Sequence, residues 1–259
     1  LCRGPLRGWG GYEIVRIGTL RGTHADANDI IAFRQVVGYA ANVNNVRRPF
    51  IWSMEDGIRD LGTLAGGAGT VGQCYGINDL AWAVGTSENA NGVWNATLWR
   101  PGHLPRDLGD LPGFTQSFAT AVNDAGQIVG TARKLVDGDW VSHAFLWTEA
   151  DGMIDLGSLG GTGTGAADIS GTGRIVGNIY LSSGAVHAFS CTGPDDMEDI
   201  YPDYPARAYV AAGINEGGVI VGNAEQDDGS RVPAYWATGS GEPVFADAAY
   251  GHAEEIGRA

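Results

Sequence analysis

Basic residues are scarce: the 259-residue chain has 16, of which only Lys134 is lysine, against 30 acidic residues, for a net charge of -14. Such a surface repels polyphosphate and anionic lipid, which argues against nucleic acid and against a membrane surface as partners. Cysteine is nearly absent. Cys2, Cys74 and Cys191 are odd in number and show no CxxC spacing, which argues against a zinc ribbon and allows one disulfide at most. Cys74 and Cys191 then read as small apolar core residues. No run of 18 apolar residues exists, so no helix of this sequence is expected to span a bilayer. Residues Leu1 to Gly11 include Arg3 and Arg7 but no apolar run, so the expectation is that a secretion signal has been removed or was never there. Nothing reads as a long helix.

Glycine is in excess, 42 residues or about 16 % of the chain against roughly 7 % in average proteins. That asks for many turns. With 44 % hydrophobic residues and 8 Trp the chain can also fill a dry core, so it reads as globular. No Ser/Pro-rich linker divides it, and the expected organisation is an N-terminal extension, 1–11, followed by one domain, 12–259.

The sequence repeats itself. Val-Val-Gly ending at Gly38 returns in related form at Gly85, Gly130, Gly177 and Gly222, a period of about 46 residues. A second mark ends at Trp52, Trp99, Trp147, Cys191 and Trp236. A third, of the Asp-Leu-Gly-x-Leu type, recurs around Leu61, Leu108, Leu156, Ile200 and Phe245, with a free-standing copy near Ile17. Within each period the apolar runs are short, rich in Val, Ile, Trp and Phe, and bounded by Gly, Asn and Asp, which is a strand pattern. Asn123-Asp124-Ala125-Gly126 and Asn215-Glu216-Gly217-Gly218 are hairpin turns by composition.

Four strands in such a period make one propeller blade, so the expected fold is an all-β propeller of four-stranded blades, with a β-helix or flat solenoid as the competing repeat fold. Five blades are expected, with six as the alternative. Glu13 to Leu20 resembles a last strand without its blade, and His252 to Ile256 a first strand, so the termini are expected to close the ring. A monomer is expected.

Ile77-Asn78-Asp79-Leu80-Ala81-Trp82, Val122-Asn123-Asp124-Ala125-Gly126-Gln127, His143-Ala144-Phe145-Leu146-Trp147 and Asp155-Leu156-Gly157-Ser158-Leu159 carry a resemblance. From about Tyr12 onward the chain resembles the extracellular repeat family named for its His-Ala-Phe (HAF) motif. The resemblance implies a propeller-like β fold and an extracellular or cell-surface location, and it brings no reaction or catalytic residue. Arg48-Pro49-Phe50 and Asn95-Ala96-Thr97 depart from the motif, and Cys191 stands where Trp is usual.

Functional candidates are residues that break the repeat. Taking Asn28, Asn78, Asn123, Ser170, Asn215 and Gly257 as equivalent turn residues places Asp26, Asp168 and Glu255 in one column two places earlier, beside Gly76, Ala121 and Gly213. His24 then matches Cys74, and His252 precedes its own segment. Inner strands line a propeller axis, so these groups could form one asymmetric site in which carboxylates bind a polar ligand or do acid–base work with His24 or His252 as proton carrier. Equally they could be acids capping turns through backbone amides. Trp82 sits where other repeats have Gln35, Gln127, Arg174 and Val219, and Trp94 and Trp140 are expected in the loops before the third strands, among Asn and Asp. All three suit stacking on a sugar, or serve as lids on blade edges.

His143 and His187 of the HAF copies, and the recurring Asp60, Asp107, Asp155 and Asp199, read as structural because every repeat has such a position. Asp195, Asp196, Glu198, Asp199 and Asp203 could attract calcium but lack EF-hand spacing. No other metal or organic cofactor is expected. The favoured function is binding of a neutral polar small molecule or carbohydrate at an axial face. An enzyme of glycoside hydrolase or lyase type at the same site and a protein-interaction platform are the alternatives.

Overall fold

The computed structural model describes residues 14–67, 69–200, 208–225, 229–237 and 244–245, and all regular structure among them is β-strand. The strands fall into five antiparallel units. Unit 1 is β1 (Arg21–Ile30), β2 (Val36–Asn42), β3 (Arg47–Ser53) and β4 (Gly57–Asp60). Unit 2 is β5 (Gly72–Ile77), β6 (Ala83–Glu88), β7 (Trp94–Trp99) and β8 (Arg106–Asp107). Unit 3 is β9 (Gln116–Val122), β10 (Ile128–Val136), β11 (Asp139–Thr148) and β12 (Gly152–Gly157). Unit 4 is β13 (Gly163–Ile169), β14 (Ile175–Tyr180), β15 (Val186–Cys191) and β16 (Glu198–Asp199). Unit 5 is β17 (Tyr209–Ile214), β18 (Ile220–Glu225), β19 (Arg231–Trp236) and β20 (Val244–Phe245). Within each unit the strands pair in chain order, and the units stand around a common axis as a β-propeller.

The repeat marks acquire physical causes here. The turn after each first strand closes through the backbone, as in Asn78 N–H to Trp82 O at 3.1 Å and Ala81 N–H to Asn78 O at 2.9 Å. Its fourth residue takes positive φ: 76° at Gly126, 86° at Gly173 and 78° at Gly218, which is why glycine recurs there. Each first strand also carries a β-bulge just before the turn, at Asn28, Tyr75, Thr120, Ala167 and Ala212. The bulge presses the first strand onto the glycine of the second. A Cβ on Gly130 would collide with the Phe118 carbonyl oxygen and come within 2.7 Å of the Phe145 ring, so the glycine of Ile-Val-Gly is required by close approach.

The core lies between units. Val84 and Leu98 of unit 2 meet Ala119, Val122, Ile128, Phe145 and Trp147 of unit 3, and the same pattern joins units 3 to 4 and 4 to 5. Burying such Val, Leu and Phe side chains contributes roughly 1.5–3 kcal/mol each. Polar ties run the same way: Asn78 Nδ2 donates to Asn123 O at 2.9 Å, Asn123 Nδ2 to Ser170 O at 3.0 Å, and Thr120 Oγ1 to Ala166 O at 3.0 Å. Asn178 bonds Ala211 of unit 5 through both ends of its amide.

The segment before unit 1, expected as a last strand, forms no strand over 14–19 and makes one isolated bridge, Leu20 to Asn42. Ile17 and Leu20 pack on Ala40, Phe50 and Trp52, the place that the last strand of a preceding unit would take. His252 to Ile256, expected as a first strand, lie outside the described residues. One expectation is corrected. Trp94 opens β7, and Trp140 lies within β11, so neither is in a loop. The hairpin of unit 3 extends beyond its neighbours because Asp137 (φ 53°) and Gly138 (φ 97°) close it with a two-residue turn.

Candidate functional site

The turn ends of the first strands converge on the axis, where a cavity of about 680 Å³ opens. The last residue of every first strand lines it, Ile30, Ile77, Val122, Ile169 and Ile214, and unit 1 adds Ile31 and Ala32. The turns add Asp79, Asp124 and Glu216, and none of the described residues lining it is Lys, Arg or His. The acids also tie neighbouring turns, with Asp124 accepting from Asp79 N–H at 3.0 Å and Glu216 from Gly171 N–H at 2.8 Å. The turn asparagines are consumed by the fold: Asn78 Oδ1 accepts from Trp82 N–H while its Nδ2 reaches the next unit.

Beside this cavity sits Asp168. Its carboxylate accepts the N–H of Ile169 at 2.8 Å and, across the interface, the N–H of Ile214 at 2.9 Å. Burial pushes its pKa above the ordinary carboxylate value, with the two amides opposing the shift and the charges of Asp29 and Glu216 adding to it. Asp29 is its counterpart in unit 1, accepting from Ile30 N–H at 2.8 Å and Ile77 N–H at 2.9 Å.

The expected column of Asp26 with Asp168 is therefore wrong by three residues. The turn of unit 1 is built on Ile31, whose N–H bonds Gln35 O, and Asn28 is the bulge, its Nδ2 donating to Cys74 O at 2.7 Å. Counting seven residues back from the Ile-Val-Gly glycine gives Asn78, Asn123, Ser170 and Asn215, and from Gly38 it gives Ile31, a spacing that would have identified Asp29. By the same correction Ala27, not His24, matches Cys74.

Asp26 and His24 lie further along β1, away from the turn. Asp26 stands opposite Tyr39 and holds the phenol by a hydrogen bond that raises the Tyr39 pKa. His24 meets the same ring edge-on at 6.4 Å, and Arg47 lies 5.4 Å from its centroid. Tyr75 donates to Gln73 Oε1 at 2.6 Å nearby. The sequence singled out neither tyrosine nor Arg47. Glu255 and His252 lie outside the described residues. Of the described acid and histidine candidates, Asp168 lies beside the cavity, whereas Asp26 and His24 gather on Tyr39 and do not line it.

Trp82 is half-buried between Arg100, 5.1 Å from its ring, and Gly126 of the next unit, and so covers the edge between units 2 and 3. Trp140 is 51 % exposed, with the Arg133 guanidinium 4.4 Å from its ring and 4.6 Å from that of Phe118. Trp94 is half-buried at the start of its strand.

Each HAF histidine bonds the aspartate of the fourth strand through Nδ1: His143 to Asp155 at 2.9 Å and His187 to Asp199 at 2.5 Å. Arg48 fills that position in unit 1, pairing with Asp60 at 2.9 Å and donating to the carbonyls of Gly67 and Thr70. In the acidic segment Asp196 caps Thr192 and Gly193. Asp203 lies outside the described residues, and no group of three or more metal-ligating side chains forms among the described ones. Cys74 and Cys191 are buried and free.

No family model and no curated protein matches the chain. Solved structures do. A putative TolB from Agrobacterium tumefaciens superposes with a TM-score of 0.59 at 14 % identity, covering 85 % of this chain and 79 % of that one. The gluconolactonase XC5397 from Xanthomonas campestris gives 0.46 at 12 % identity, with 82 % and 71 % covered. The β-propeller domain of the Trilobed protease from Pyrococcus furiosus gives 0.43 at 11 % identity, with 85 % and 83 % covered. At such identities the likeness is one of fold, and it agrees with the strand order described above: the chain is a β-propeller.

Proposed function

We propose that the protein binds one small, uncharged, hydroxyl-bearing molecule, of the size of a sugar, in the axial cavity at the turn end of the first strands. The observation that carries this reading is a cavity of about 680 Å³ to which each unit gives at least one aliphatic side chain and three turns give carboxylates. That volume falls within the usual range for small-ligand sites. The aliphatic ring suits the C–H face of a ligand, and carboxylate oxygens accept from hydroxyls. An anion would meet Asp79, Asp124 and Glu216 with no cation among the described lining residues, and the net charge of -14 opposes its approach. Binding is favoured over acid–base catalysis because Asp29 and Asp168 each hold two backbone amides. An extracellular or cell-surface location, implied by the repeat resemblance, is part of the same proposal.

The test is a thermal-shift panel of neutral mono- and disaccharides with the matching sugar acids as charged controls. A neutral sugar is expected to raise the melting temperature while its acid does not. Ala32, exposed and lining the cavity, is the position for a plug: Ala32→Trp should abolish the shift in a folded protein. A ligand response that survives Ala32→Trp, or one confined to the acids, defeats the proposal.

A further inference from the structure

The turn after the first strand reaches the axial cavity in every unit, yet its chemistry changes around the ring. At the second turn position units 2, 3 and 5 present Asp79, Asp124 and Glu216, and unit 4 presents Gly171. Unit 1 presents Ala32 there, preceded by Ile30 and Ile31 and followed by Phe33. The third turn position divides in the same way. It is Phe33 in unit 1 and Leu80 in unit 2, 73 % and 55 % exposed, against Ala125, Thr172 and Gly217 in units 3 to 5. Gly217 lines the cavity, which sets this position at its rim. One arc of the mouth is therefore apolar, and the remainder is acidic or small.

The fold does not require this arc. Backbone bonds close the unit 1 turn, Ile31 N–H to Gln35 O at 3.1 Å and Arg34 N–H to Ile31 O at 2.9 Å, and Arg34 holds a φ of 58° where units 3 to 5 have glycine. Consensus residues would serve the turn at least as well, because Asn ties its amides as Asn78 does and glycine takes positive φ without strain. Phe33, so far exposed, adds little to the core. We propose, resting on the cavity reading above, that the ligand is amphiphilic: a sugar ring joined to an apolar group, as in an aryl or alkyl glycoside. Its hydroxyls meet Asp79, Asp124 and Glu216, and its apolar group lies on the arc of Ile30, Ala32, Phe33 and Leu80. A cavity of about 680 Å³ is of the size that holds a drug-sized molecule, so it has room for both parts. Withdrawing the apolar group and the arc from water together supplies affinity that a free sugar lacks.

Isothermal titration calorimetry with the methyl and phenyl β-glycosides of glucose, galactose and mannose tests this. For a sugar that binds, the phenyl glycoside should bind roughly 10- to 100-fold more tightly than the methyl glycoside, the gain from burying one Phe-sized group. Phe33→Ser combined with Leu80→Ser changes two exposed rim positions and none of the acids. The double variant should cancel the phenyl preference and leave the affinity for the methyl glycoside unchanged. Leu104→Ser, at an 88 % exposed position outside these turns, is the control and should keep the preference. Equal affinity for phenyl and methyl glycosides, a preference that survives the double substitution, or one lost in Leu104→Ser overturns this inference and leaves the cavity reading intact. Failure of every glycoside to bind, or binding that Ala32→Trp does not abolish, defeats the cavity reading itself and this inference with it.

Discussion

Replacing Asp168 by Ala removes the acceptor for two backbone N–H groups, Ile169 at 2.8 Å and Ile214 at 2.9 Å, the second belonging to the next unit. A buried donor left without a partner costs about 1–3 kcal/mol. Against this, the mutant no longer carries a carboxylate that burial penalises, as the upward pKa shift shows. The net loss is expected near 1–3 kcal/mol, since one amide gains partial access to the axial cavity, and for a chain of this size that lowers the melting temperature by roughly 2–10 °C. Asp168→Asn keeps one acceptor oxygen and should cost less. The pH dependence has a definite sign. A folded-state pKa above the unfolded 3.8 means the native protein holds the proton more tightly, so this group's contribution to stability is fully present below that value and is lost as pH rises through the raised pKa. Asp168→Asn should flatten that part of the stability profile. Calorimetry at several pH values, with hydrogen exchange at the Ile214 amide, measures both. Unchanged melting and unchanged Ile214 protection in Asp168→Ala would show that the carboxylate is not a tie between units.

Gly177→Ala should cost about 3 kcal/mol or more, because the new Cβ collides with the Gly165 carbonyl oxygen and lies 2.6 Å from the Phe189 ring, and a urea midpoint within error of wild type would contradict this. Arg48→Ala releases Asp60, Gly67 O and Thr70 O together; a loss of roughly 2–4 kcal/mol and faster proteolysis between residues 61 and 71 are expected, and equal cleavage rates would argue against the staple. Burial pushes the Cys191 thiol up to about 12 and that of Cys74 further, so both should resist iodoacetamide in native protein and react in urea, as read by mass spectrometry. Rapid native alkylation of Cys74 would mean that its interface opens.

The fold was legible because each repeat mark answers to a strong local force: glycine where strands press together, Val and Ile between sheets, Asn at the turns. Unit 1 misled because its turn lacks the consensus asparagine. Backbone hydrogen bonds close the Ile31 turn without that side chain, with Arg34 at φ 58°, while the asparagine in the sequence, Asn28, serves the bulge. A three-residue slip then exchanged Asp29 for Asp26. The cavity was partly visible in the divergence of the first strands, whereas its aliphatic ring was hidden because Ile77, Val122 and Ile169 look like ordinary core residues until the axis brings them together. The pairing of Tyr39 with Asp26 depends on register, which composition does not specify.

The ties between units all reach from one unit to its successor: Asn78 to Asn123, Asn123 to Ser170, Thr120 to Ala166, and Asp168 to the amide of Ile214. Contacts of this kind make the molecule a one-dimensional array in which each blade is stabilised by its two neighbours. Opening is then cheapest where a blade has one tied side. Among the described residues the ties of unit 5 are Asp168, Asn178 and one interface cluster, all shared with unit 4, so its amide hydrogens should exchange at a lower free energy than those of units 2 to 4.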